Sequence, residues 1–234
     1  IDSDVSRGRG LGVVVGLLDG RNGNDIFIAN DMTNNHFYSG ASKGDETRLT
    51  ESAMIRGLGT DDRGLAQGSM GIAAADFDHD ADLDLYVTNF DKEYNSLHLQ
   101  TSGGTWQDRT SACQLIQQTL PLVGFGTEAI DIDNDSHLEM MIANGHVDLF
   151  SRGDEKAIYE HPFQLIRRTQ SGEFQSLLVQ SLGNYFQSTH CARALWTVDA
   201  NRDGRVALVV THQTEPLALL VNRTRQASKW IRIE

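Results

Sequence analysis

Ile72-Ala-Ala-Ala-Asp76-Phe-Asp-His-Asp80-Ala-Asp-Leu-Asp84-Leu-Tyr-Val-Thr-Asn89 sets a run of alternating aspartates between two short apolar stretches. The flanking runs are rich in residues that suit a pleated surface, so the segment reads as strand, acidic loop, strand. Three other segments align with it without gaps: Gly12–Asp31, Gly126–Gly145 and Ala194–Gln213. Each opens on a small residue, passes through a polar loop and resumes an apolar run. Asn30, Asn89, Asn144 and His212 stand at the same offset near the end of each. The starts at 12, 71, 126 and 194 are 59, 55 and 68 residues apart.

More strand follows each loop. Asn95–Thr101, a turn at Ser102-Gly-Gly104 and Thr105-Trp-Gln107 read as a hairpin, repeated one unit later by Leu165–Thr169 and Glu173-Phe-Gln175. About four strands per unit of roughly 50–60 residues is the size of a β-propeller blade. All three prolines (Pro121, Pro162, Pro216) fall between the aligned units, where a strand ladder does not need the missing N–H. A helical solenoid would require longer 3.6-period stripes than the sequence contains. A short helix within Gly153–Arg168, inserted between strands, is the one helical expectation. The expected fold is therefore all-β: a propeller of four-stranded blades over residues 1–228. Two readings of the count stay open, a portion of a larger ring and a closed ring of four.

In the second unit Asp76, Asp78, Asp80 and Asp84 occupy loop positions one, three, five and nine. Asp131, Asp133, Asp135 and Glu139 do so in the third. Position seven, Asp82 or His137, is expected to offer its backbone carbonyl. Hard oxygen donors of this number and charge suit Ca²⁺ better than Mg²⁺, which keeps several waters. Two carboxylates about 5 Å apart repel by roughly 3 kcal/mol at an effective dielectric near 20, so four converging ones call for a cation. The rival reading is an acidic loop splayed into solvent. The loops are not EF-hands, because position twelve is Val87 or Ile142 in a strand rather than a bidentate Glu. Position six is Ala81 or Ser136 rather than Gly, and a left-handed backbone is expected there. The outer units are poorer. The fourth keeps Asp199, Asn201 and Asp203 but has Ala207 for the closing acid, so it is a weaker metal candidate. The first keeps only Asp19 and Asp25, with Arg21 placed to act as a tethered cation instead of a metal.

The pattern Asp-x-Asp-x-Asp-x-x-x-Asp/Glu before a strand ending in Ala/Thr-Asn resembles the FG-GAP/VCBS repeats of integrin-α-like propellers. Gly8–Leu17, Gln67–Ala81, Leu85–His98 and Ala143–Asp148 together resemble the ASPIC/UnbV-associated repeat proteins, the cartilage acidic protein-like family. That resemblance implies a seven-bladed propeller stabilised by structural Ca²⁺, in a secreted, periplasmic or envelope-associated and often bacterial protein. It also implies that Lys229–Glu234 begins a small ASPIC/UnbV domain. The sequence departs from the family in the outer loops and in its eroded Gly-Asp-Gly hairpins, so no site is carried over to the first and fourth units.

With Lys+Arg 20 against Asp+Glu 32 the net charge is −12, a field that repels nucleic acid. No apolar stretch approaches the roughly 18 residues of a transmembrane span. Ile1-Asp-Ser-Asp4 has no signal-peptide features, which suits a processed chain or a piece of a longer one. Cys113 and Cys191, far apart in sequence, are expected to be free and buried. Gly8-Arg-Gly-Leu-Gly12 fits neither the dinucleotide fingerprint nor the P-loop and reads as the opening of an inner strand. No His pair has ligand-like spacing on a helix, and His146 is expected to bond locally at a blade's end. The favoured function is a non-catalytic module that presents a propeller face to a protein or glycan. Its rival is a propeller enzyme, a polysaccharide lyase or hydrolase, with a His, Arg and Tyr cluster in the central channel.

Overall fold

The computed structural model describes residues 7–21, 23–43, 46–147, 151–152, 155–156, 159–177 and 182–224. Four antiparallel sheets follow one another along the chain as blades of a propeller. Blade I comprises strands Gly10–Gly16, Asp25–Asn30, His36–Lys43 and Glu46–Glu51, each paired with the next. Blade II comprises Ile72–Ala75, Asp84–Val87, Ser96–Thr101 and Thr105–Asp108. Blade III comprises Gly124–Ile130, Glu139–Asn144, Gln164–Arg168 and Phe174–Ser176. Blade IV has three described strands, Ala192–Val198, Ala207–His212 and Ala218–Leu220. The aligned strand–loop–strand unit is thus the first hairpin of every blade, with the acidic loop at its tip.

The apolar runs are continuous, rather than alternating, because the second strand of an interior blade is covered on both faces. In blade II, Leu85 and Val87 pack toward Leu18, Phe27 and Phe37 of blade I. Tyr86, between them, faces Met140 and Ile142 of blade III. In blade III, Met141 and Ala143 point the other way, onto Leu195, Leu208 and Val210 of blade IV. Period-two alternation therefore distributes one strand's side chains between two inter-blade cores.

Small residues at the start of each unit let adjacent inner strands approach backbone to backbone. A Cβ on Gly12 would lie 2.1 Å from the Met70 carbonyl oxygen, and one on Gly71 would lie 2.1 Å from that of Phe125. On Gly126 it would meet the Leu195 nitrogen at 2.5 Å. Only glycine fits at such distances.

Among the described residues the fourth sheet does not close onto the first, so the closed ring of four is not formed. Leu11, Val13 and Val15 on the outer face of blade I are 61%, 65% and 57% exposed, and Trp196 of blade IV is 70% exposed. In a four-blade ring these side chains would face one another and be buried.

Among the described residues of 153–168 strand stands where a helix was expected: His161–Pro162 pairs with Thr189–His190, and Glu155–Lys156 pairs with Ser151–Arg152, while 153–154 and 157–158 lie outside the described residues. Helix is confined to the single turns Ala53–Arg56 and Ile116–Thr119 and one 3₁₀ turn at Asn184–Gln187, among the described residues. Cys113 and Cys191 are free and buried. Lys229–Glu234 lies outside the described residues.

The glycine contacts yield a direct test. Gly71→Ala should lower stability by about 2–3 kcal/mol through overpacking against a backbone oxygen. Gly183→Ala, whose new methyl would meet nothing within 4 Å, serves as the near-neutral control in urea unfolding.

Candidate metal centre

The acidic loops are organised from their first and last carboxylates. In blade II, Asp76 sits at the end of the first strand and turns its side chain inward over the loop. Its Oδ1 accepts the amides of His79 (2.7 Å) and Asp80 (3.2 Å), and its Oδ2 accepts that of Ala81 (3.0 Å). Asp84, fully buried at the start of the second strand, closes the other side. It accepts the Phe77 amide on Oδ2 and the Gln100 amide on Oδ1, both at 2.8 Å. These bonds draw the first and last carboxylates over the loop, while Asp80 remains exposed.

The same fastening recurs. In blade III, Asp131 accepts the amides of Asp135 (2.9 Å) and Ser136 (2.7 Å), while Glu139 accepts that of Ile132 (3.0 Å). In blade I, Asp25 accepts the amides of Leu18 and Asp19, each at 3.1 Å. The backbone winds left-handed at positions four and six to aim these amides. φ is 66° at His79 and 73° at Ala81, and 56° at Asn134 and 72° at Ser136. Left-handed backbone at Ala81 and Ser136 is as the sequence led us to expect, and it carries the strain of a side chain where glycine is easier.

Asp76, Asp78 and Asp84 each place a carboxylate oxygen within 4.8 Å of the others, and so do Asp131, Asp133 and Asp135. Asp78 Oδ1 and Asp133 Oδ1 are buried and have no hydrogen-bond partner. These two atoms hold the same repeat position, the third of the loop. Asp80 and Asp135 each accept the amide two residues on, from Asp82 (2.9 Å) and His137 (2.8 Å). The loops lie side by side, with the His79 and His137 rings 5.4 Å apart.

Burial pushes the Asp84 carboxyl up to about 7, against the opposing pull of its two amide donors. Asp78 is raised by burial and then by the neighbouring Asp80 charge, and Glu139 is raised by burial. Three carboxylates gathered within 4.8 Å cannot all be bare anions without cost; Asp80 of blade II and Glu139 of blade III, both expected ligands, fall outside these groups.

Blade III differs from blade II in one respect the sequence did not expose. Arg167 stands directly across the ladder from Glu139 and donates to its Oε1 (2.5 Å) and to Asp133 Oδ2 (3.0 Å). A guanidinium thus offsets part of the charge of this loop. The corresponding third strand of blade II, Ser96-Leu-His-Leu-Gln-Thr101, contains no Lys or Arg. In sequence the long excursion from Gly145 to Phe163 separates Arg167 from its loop, which hides the pairing.

The outer loops have lost their free acids differently. In blade IV, Asp199 still fastens the loop through the amides of Asp203 and Gly204, both at 3.1 Å. The Asp203 carboxylate is engaged by Arg205 Nε (2.9 Å) and Asn201 Nδ2 (2.9 Å), and Ala207 offers nothing. In blade I the expected ion pair from Arg21 to Asp19 is present but loose, at 3.9 Å, and Arg21 is 61% exposed and donates to the Gly103 carbonyl. The closer cation at Asp19 is Arg56, at 3.1 Å and largely buried, which the sequence did not point to. Arg56 comes from a helical turn between blades, out of reach of any reading by loop position.

Two comparisons bear on this geometry. Residues 76–142, which contain both complete loops, match the FG-GAP-like repeat. Over 227 residues the chain is 24% identical to cartilage acidic protein 1 of Xenopus tropicalis, covering 96% of this chain. It spans about a third (32%) of that relative's length. The FG-GAP-like match extends from the first ligand candidate of blade II to the second strand of blade III.

A pH effect follows from the raised acids. A carboxyl raised on folding binds its proton more tightly in the native chain. Its contribution is full below its unfolded value near 4 and is lost as pH climbs through about 7 for Asp84. In chelator, the melting temperature should therefore fall by several degrees between mildly acidic and mildly alkaline buffer. Calorimetry that shows a rise over that range would contradict the protonation assignment.

Proposed function

We propose that this chain forms part of a calcium-stabilised, non-catalytic propeller that acts outside the cytoplasm and presents a blade face to a protein partner. The observation that carries the calcium reading is the pair of buried, unpartnered oxygens, Asp78 Oδ1 and Asp133 Oδ1. A buried carboxylate oxygen without a donor is costly, and its recurrence at one repeat position speaks for a ligand rather than a local defect. In blade II, Asp76, Asp78, Asp80 and Asp84 would hold the ion together with the Asp82 carbonyl. In blade III the set is Asp131, Asp133, Asp135 and Glu139 with the His137 carbonyl. Bound calcium supplies charge neutralisation, and the loops in turn fix the spacing of the first two strands of each blade.

Several observations favour binding over catalysis. The inner strands of blades I and II, Gly10-Leu-Gly-Val-Val-Val-Gly16 and Ile72-Ala-Ala-Ala75, are built of small and apolar residues, while those of blades III and IV carry Glu128 and Arg193. The loop carboxylates are committed to amides and to one another rather than set in pairs across a cleft. The FG-GAP-like match and the similarity to cartilage acidic protein 1 support an extracellular interaction role. No described helix is long and apolar enough to cross a membrane. The exposed apolar faces of blades I and IV support a longer ring of such blades.

Calcium at about 100 times its dissociation constant should stabilise the chain by about 2.7 kcal/mol per site. EDTA should remove that gain. Asp78→Asn should abolish the blade II share, and a melting temperature indifferent to both EDTA and this substitution would overturn the reading. Arg167 competes with the ion in blade III. In the Asp78→Asn background, Arg167→Gln should tighten the remaining calcium site about tenfold, or roughly 1.4 kcal/mol, by titration calorimetry.

A further inference from the structure

A second cluster of ligand-type side chains lies on blade IV, apart from the acidic loops. His190 ends the short strand Thr189–His190, His212 ends Ala207–His212, and Glu215 stands in the turn that follows. One donor atom from each lies within 4.8 Å of the others.

The repeat explains how His212 comes to be there. The residue at this offset in the first three blades is asparagine, and its Nδ2 donates to a backbone carbonyl further along the chain, four or five residues on in blades I and II and 18 on in blade III. Asn30 donates to the Asn34 oxygen (2.8 Å), Asn89 to that of Tyr94 (2.7 Å) and Asn144 to that of Pro162 (2.9 Å). His212 Nδ1 makes the same bond, to the Pro216 oxygen at 2.9 Å and, like Asn30, four residues on. Imidazole thus performs the structural task of asparagine with one nitrogen and carries a second nitrogen beyond it.

Hydrogen bonding fixes which nitrogens keep a lone pair. A backbone carbonyl can only accept, so His212 carries its proton on Nδ1 and leaves Nε2 as an acceptor, 2.7 Å from the Tyr185 hydroxyl. His190 Nε2 lies 3.0 Å from the Tyr185 carbonyl oxygen and is protonated for the same reason. Its ring is held flat on the Tyr185 ring, with centroids 4.1 Å apart and planes 8° off parallel. His190 Nδ1 therefore faces the Glu215 carboxylate, at 3.0 and 3.2 Å. Either a proton on Nδ1 or a bound cation satisfies that contact, and the nearness of the His212 nitrogen to both is what a cation would use. Imidazoles whose other N–H is anchored on a backbone carbonyl are the usual second-shell arrangement of a metal-binding histidine.

We propose that His190, His212 and Glu215 form a binding site for a divalent first-row transition-metal ion, with Zn²⁺ the best fit. Two imidazole nitrogens and one carboxylate suit zinc and leave a coordination position open, whereas calcium prefers oxygen alone. The site is independent of the calcium reading, since it shares no residue with the acidic loops.

The test uses the chain stripped of metal, then saturated with Ca²⁺, and titrated with Co²⁺ as a spectroscopic probe and with Zn²⁺ against a chromophoric chelator. One equivalent with a ligand-field band is expected. His212→Asn restores the residue of the other blades, keeps the bond to the Pro216 carbonyl and should weaken binding at least about tenfold with unchanged fold. Glu215→Gln, in an exposed turn, should weaken it as well and covers the case in which His212→Asn disturbs folding. Absence of the band, or equal affinity in the wild type and both variants, would overturn the proposal. The cluster would then be a plain hydrogen-bonded pair of His190 and Glu215.

Discussion

Everything in this molecule depends on how closely neighbouring blades approach at their inner strands. The opening glycine of each of the first three units lies against the backbone of the next blade, at distances where a methyl group would overlap an oxygen or nitrogen. That contact sets the angle between sheets, and the angle determines which side chains meet in the three inter-blade cores. Phe27, Tyr86 and Met140 are completely buried because the blades are this close. A wider separation would leave voids, and native interiors tolerate few of those.

The acidic loops are the second level of the same organisation. Their terminal acids act first as fasteners: Asp25, Asp84 and Glu139 each accept the amide of the loop's second residue, whether or not a metal site is complete. This separates two roles that a ligand count merges. Blade I keeps the fastener and replaces the ion's charge with Arg56, whereas blade IV keeps the first acid, lacks the fastener and pairs Asp203 with Arg205. Blade III has both the acid set and Arg167, and blade II alone has the acid set with no arginine bonded into it, among the described residues. The four loops thus grade from charge-compensated by side chains to left with carboxylates that no arginine engages, among the described residues.

The histidine cluster of blade IV shows how a repeat acquires something new. Asparagine at the end of the second strand is a structural residue in three blades, and histidine can replace it there because Nδ1 reproduces its hydrogen bond. The exchange adds a nitrogen pointing into a space already bordered by Tyr185, His190 and Glu215.

Read alone, the sequence determined the period, the strand–loop–strand unit and the all-β blade, because each rests on neighbours within about twenty residues. Short-range spacing also marked positions four to six of the loop as the place for a left-handed turn, which Ala81 and Ser136 bear out. What only the tertiary structure decided involves partners brought together across long intervals. Arg167 meets Glu139 through strand pairing after an excursion, Arg56 reaches Asp19 from another element, and His190 finds His212 across a hairpin. The expected helix within 153–168 gave way to strand for a related reason: His161–Pro162 found a ladder partner at Thr189–His190, and tertiary pairing outweighed local preference. The grouping of carboxylates was legible where one loop supplied them all. It was hidden wherever the fold had to assemble them.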